Sequence, residues 1–92
     1  MDLDELRKEI DAVDRQIVAL FEKRMEISER IAAYKQKVGM QVRDEAREKE
    51  KIKQVQSLTH TDFNRQHIEE LYTLLIALSR KLQEELNKAS LQ

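Results

Sequence analysis

Read at every third and fourth residue in turn, the first forty positions are apolar at Leu3, Leu6, Ile10, Val13, Ile17, Leu20, Ile27, Ile31, Tyr34 and Val38. The steps alternate between three and four, with position 24 completing the series. That periodicity is the apolar seam of a long helix packed against another helix. It predicts a first helix that begins near Asp2 or Asp4, whose carboxylates suit an N-terminal end. The helix should stop at Gly39, the one residue able to take a left-handed cap cheaply. A second helix is expected from a cap at Asp44 to Leu58, and a third from a cap at Asn64 to the region of Asn87. Thr59, His60, Thr61 and Asp62 supply polar turn chemistry between them. The third helix has a main seam of Ile68, Leu71, Leu75, Leu78 and Leu82. Beside it runs a second stripe of Tyr72, Ile76, Ser79, Gln83 and Leu86, apolar at its ends and polar in its middle.

Length turns this pattern into an architecture. A first helix of roughly 37 residues would span about 55 Å. A compact chain of this size has a radius of gyration of only about 12 Å. Two shorter helices cannot cover so long a seam, and the simplest cover is a second copy of the chain. The expected fold is therefore all-α, with three helices per chain in an intertwined homodimer. Residues 1–92 form one domain, with no internal repeat, linker or low-complexity segment.

Composition agrees and removes several function classes. Proline is absent, glycine occurs once, 38% of residues are charged and 4% are aromatic, as in long helical proteins. The net charge of −1 provides no basic field for nucleic acid, and stacking aromatics are few. Without cysteine there is no disulfide or thiolate chemistry. His60 and His67 lack partners at metal-ligand spacing. The longest apolar run, Leu74 to Leu78, is too short to span a bilayer, and the acidic N-terminus does not read as a signal peptide. A soluble protein of the cytoplasm is the expectation.

The seam's exception carries the candidate chemistry. Position 24 is Arg24, a cation that stays protonated, and burying it without a partner would cost several kcal/mol. An anionic ligand is one candidate for its neutralisation; a buried glutamate that fixes helix register is the other. Ser28 and Lys35 share its face, and Lys35 lies about 16 Å further along, although it also reads as a solvated lysine. Gln83 can donate a hydrogen bond without adding charge, or can be a rim residue half in water. Asp44, Arg47 and Glu48 form a first turn that is equally well explained by capping and by an Asp44–Arg47 pair. Arg7 lies about 25 Å before Arg24 and roughly 100° around the helix. It can share a pocket with Arg24 only from an antiparallel partner helix; otherwise it forms an exposed pair with Asp11.

Taken in order, these segments resemble the all-helical class of chorismate mutases. The resemblance rests on Leu6-Arg7 with Ile10-Asp11 and Asp14, on Leu20-Phe21-Glu22-Lys23-Arg24, and on Ala33-Tyr34-Lys35. It continues through Val42-Arg43-Asp44-x-x-Arg47-Glu48 to Ile76-x-x-Ser79-x-x-x-Gln83. Gln41 departs from it, since many family members carry proline there. The resemblance implies an intertwined dimer with two equivalent sites, each completed by Arg7 of the other chain. It implies that Arg24 and Arg7 bind the two carboxylates of chorismate, and that Lys35 and Gln83 donate to the ether oxygen of the breaking bond. Glu48 and Asp44 would meet the ring hydroxyl, with Ser79 and Arg47 completing the carboxylate environment. The reaction, chorismate to prephenate on the route to aromatic amino acids, needs no metal or cofactor. An isochorismate pyruvate-lyase on the same fold is the alternative within the class, and a non-catalytic helical dimerisation module the alternative outside it. An activating partner enzyme of the same pathway is also compatible with the sequence.

Overall fold

A computed structural model describes residues 2–90, and among them all regular secondary structure is helical. Helix α1 spans Leu3–Val38, α2 spans Glu45–Ser57 and α3 spans Asp62–Ser90. The Asp2 carboxylate accepts from the Glu5 N–H at 2.8 Å and starts α1. Gly39 ends it with φ 73°, and Met40 N–H returns to the Lys35 carbonyl at 2.8 Å. The left-handed residue satisfies carbonyls that the last turn leaves free. Asp44 caps α2 through the Arg47 N–H at 3.0 Å.

The third helix differs from its sequence expectation. It begins two residues before Asn64, which is not its cap. Thr61 holds that position, with its hydroxyl accepting from Asn64 N–H at 3.1 Å and its carbonyl from Arg65 N–H at 2.9 Å. Threonine and asparagine are both good caps, and the one adjoining the turn prevails. At the other end α3 runs on past Asn87 to Ser90.

The contacts fix the helix directions. Arg24 of α1 meets Leu75 and Ser79 of α3, and Ser28 meets Ser79 and Gln83. Positions advance together, so α1 and α3 run parallel. Glu48 meets Arg80 while Gln56 meets Arg65, so α2 runs antiparallel to α3. Helix α3 packs against both others, and α1 and α2 do not pack on each other.

The resulting chain is long and thin, 55 × 26 × 14 Å with a radius of gyration of 16.6 Å. Its apolar interior is very small: Ala32 and Val55 are the buried apolar residues among those described. The seam of α1 lies open along its length, with Ile10 61% and Leu20 65% exposed. A monomer seldom leaves so continuous an apolar stripe in water. Among the described residues no helix is long and apolar enough to cross a membrane.

Candidate active site

The polar residues on the apolar faces come together where the second half of α1 meets α3 and the start of α2. Arg24 is half-buried, and its Nη1 donates to Ser79 Oγ at 2.6 Å and to the Leu75 carbonyl at 3.4 Å. Its guanidinium carbon stands 5.8 Å from the centre of the Tyr72 ring, within cation–π range. Among the described residues no carboxylate pairs with it, so none of their glutamates is its register-fixing partner. The contacts it makes among the described residues are with neutral groups.

Ser79 organises this junction. Its hydroxyl accepts from Arg24 and from Ser28 Oγ at 2.9 Å, and directs its own proton toward Met25 Sδ at 4.0 Å. One turn further, Gln83 is buried at 6% exposure and donates from Nε2 to the Ser28 carbonyl at 3.3 Å. It is therefore not a rim residue half in water. The small side chains of Ser28 and Ala32, both buried, let α3 approach α1 closely enough for that bond. An amide carries a second N–H, which the Ser28 carbonyl does not use.

Lys35 is not a free surface lysine either. Half-buried, it donates from Nζ to the Val42 carbonyl at 2.8 Å, tying the end of α1 to the α1–α2 connection. An ammonium has three donors, and this bond engages one. Asp44 and Arg47 are exposed. The Asp44 cap binds the Arg47 main chain, while the Arg47 guanidinium leans toward Glu50 at 3.7 Å. The expected Asp44 cap is present, while the Asp44–Arg47 side-chain pair gives way to a loose surface contact with Glu50.

These groups line one cavity of about 420 Å³, within the usual range for a small-molecule site. Arg24, Lys35, Asp44, Arg47, Glu48, Ser79 and Gln83 all face it, along with Ser28 and the apolar Ile27, Ile31, Val42 and Ile76. Its cations, Arg24, Lys35, Arg47, Lys51 and Arg80, outnumber its carboxylates, Asp44 and Glu48, by three. The whole chain carries −1, so positive charge is concentrated here. Arg7 lies apart, on the exposed N-terminal half of α1. It does not form the ion pair with Asp11 that its spacing allowed.

Sequence reasoning missed Lys51 and Arg80. Arg80 Nη1 is 3.3 Å from both carboxylate oxygens of Glu48, joining α3 to α2. Spacing held a clue to each. Arg80 is four residues after Ile76 and three before Gln83, on the stripe already marked by its polar middle. Lys51 is one turn beyond Arg47 and Glu48.

A three-helix chain with a cation-rich, part-apolar cavity, and among the described residues no carboxylate on its central arginine, has the chemistry to receive a small anion. Comparison with protein families names the class: the family described as chorismate mutase type II matches residues 6–84. The chain belongs to that family, whose activity is that of an isomerase. Neither the curated proteins nor the solved structures return a match to it.

Proposed function

We propose that this chain converts chorismate to prephenate in the cavity between α1, α2 and α3, and that it does so as a homodimer. The observation that carries the reading is Arg24. It is a half-buried cation held by neutral acceptors in a cavity with three excess positive charges, and it is suited to a ligand carboxylate.

Chorismate is a dianion that rearranges within one molecule. The reaction needs its compact conformer held in place. It also needs donors aimed at the ether oxygen, which gains negative charge as its bond to carbon breaks. On this reading Arg24, anchored on Ser79, takes one carboxylate, and Arg47 adds to its environment. Lys35 and Gln83, each with donors beyond those their internal bonds use, stabilise the ether oxygen. Glu48, with Asp44, accepts from the ring hydroxyl. Ile27, Ile31 and Ile76 exclude water and strengthen each of these interactions.

The second carboxylate needs another cation, and the open seam of α1 supplies the route. A second chain laid antiparallel along Leu3 to Leu20 would cover the exposed stripe and bring its Arg7 to this cavity. Fold completion and site completion are then one event.

The test is product identity. Purified protein mixed with chorismate should consume it and yield prephenate, and with isochorismate should release little pyruvate. Pyruvate release from isochorismate without prephenate formation would assign the cavity to the lyase reaction. No turnover of either compound, with no rise in melting temperature on adding a cyclic dicarboxylate, would leave a dimerisation module.

A further inference from the structure

The Glu48–Arg80 pair is a partition. Glu48, Ile76 and Arg80 line the main cavity on one side. On the other they line a smaller hollow of about 270 Å³, together with Arg43 and Lys49. Both side chains of the pair are about one-quarter exposed, 28% for Arg80 and 25% for Glu48. Glu48 therefore sits between two cationic environments. Facing inward it can accept from a ligand hydroxyl, and facing outward it can pair with Arg43 or Lys49. Its carbon stem permits both.

We propose that Arg80 is the positioning residue that keeps the Glu48 carboxylate at the cavity wall, and that it offsets a charge a dianion would otherwise meet bare. The inference rests on the reading of the cavity as a chorismate site. Arg80 is anchored on α3 one residue from Ser79, so it ties Glu48 of α2 to the same rigid face that fixes Arg24. Its Nη1 stands at 3.3 Å from both oxygens, longer than a tight charge-assisted bond. The contact restrains the carboxylate without saturating it, which leaves lone pairs for a hydroxyl donor. Without Arg80, Glu48 loses its restraint and keeps its charge. Both the fraction of productive complexes and the affinity for a dianion then fall.

The experiment is a kinetic cycle on prephenate formation with four proteins: the parent, Arg80→Ala, Glu48→Gln and the double variant. Glu48→Gln keeps an acceptor oxygen, and with it a measurable but lower rate. Arg80→Ala should lower kcat/KM about ten- to a hundredfold in the parent, the scale expected for a misplaced site group, with kcat falling and KM rising. In the Glu48→Gln background the same change should cost less than about twofold, because no carboxylate remains to be held. Arg80→Lys, which restores a cation at the same place, should recover much of kcat. Alanine suits an interior helix position, so the melting temperature should hold. If it does not, Arg80→Met keeps the stem and replaces Arg80→Ala in the cycle. Equal losses in both backgrounds would mean that Arg80 acts on the substrate or the fold directly, and would overturn the proposal. So would a fully active Arg80→Ala or Glu48→Gln protein. A parent that makes no prephenate overturns the reading of the cavity and this inference together. An active parent with additive losses overturns this inference alone.

Discussion

Arg24 on α1 reaches the Ser79 hydroxyl on α3 across 2.6 Å, and that hydroxyl also accepts from Ser28 at 2.9 Å. The guanidinium is fixed in direction by neutral groups, and among the described residues its charge has no ionic partner. A site prepared for an anion has this character: the donor is aimed before the ligand arrives, so little reorganisation is needed when it binds.

Removing either main cation should therefore harm catalysis far more than folding. Arg24→Ala and Lys35→Ala should each lower the rate of chorismate conversion by about 10²–10³-fold, as for the loss of a preorganised donor. Their melting temperatures should stay close to the parent's, and Arg24→Ala can even gain, since a cation without an ionic partner leaves the helix interface. Ser79→Ala, which leaves the charge and removes its anchor, should be milder. Steady-state kinetics beside thermal melts checks this; an Arg24→Ala protein that is fully active, or that unfolds, returns Arg24 to a structural role.

The exposed seam of α1 sets the second expectation. With two apolar side chains buried among the described residues, one chain alone has little hydrophobic stabilisation. Sedimentation at micromolar concentration should give twice the 10.9 kDa chain mass, and dilution should not release an active monomer. A folded, active single chain contradicts both the architecture and the shared site.

Arg7 supplies the third. Chains carrying Arg7→Ala and chains carrying Arg24→Ala should each be nearly inactive as homodimers. In a mixed dimer both lesions can fall in one site and leave the other whole, so activity should partly return on mixing. If chains exchange and activity stays absent, Arg7 does not work across the dimer.

Periodicity made the helices legible. A stepping of three and four over 36 residues, broken by a lone glycine, permits little else than the α1 observed. The start of α3 was harder because Thr61 and Asn64 both fit a cap, and position relative to the turn decides between them. Arg24, Ser79 and Gln83 stood out because polar groups on apolar stripes require an explanation. Asp44 was also readable, and its capping role and its place in the cavity wall coexist. Arg80 was not readable, because a charged residue on a charged helix draws no notice until its partner, 32 residues earlier in the chain, is beside it. Lys35 was ambiguous for the same reason: its bond to the Val42 carbonyl depends on how the chain turns after Gly39. Pairings set by tertiary approach leave no trace in spacing.

The measurement that tests the account most directly concerns Gln83, the buried amide between α1 and α3. A neutral amide donates to the ether oxygen at any ordinary pH. In Gln83→Glu the equivalent donor exists only while the introduced carboxyl is protonated. Lys35 and Arg24 favour its ionised form, while burial favours the protonated one. The ionised form repels an oxygen that is gaining negative charge, so activity should rise as pH falls and the donor returns. Determine kcat/KM for both proteins from about pH 5 to about pH 8, a range in which an unperturbed carboxyl is mostly ionised. The account predicts a parent that is comparatively flat and a Gln83→Glu enzyme that is poor at neutral pH and recovers toward pH 5. Parallel profiles would contradict it, because Gln83 would then not touch the reacting oxygen.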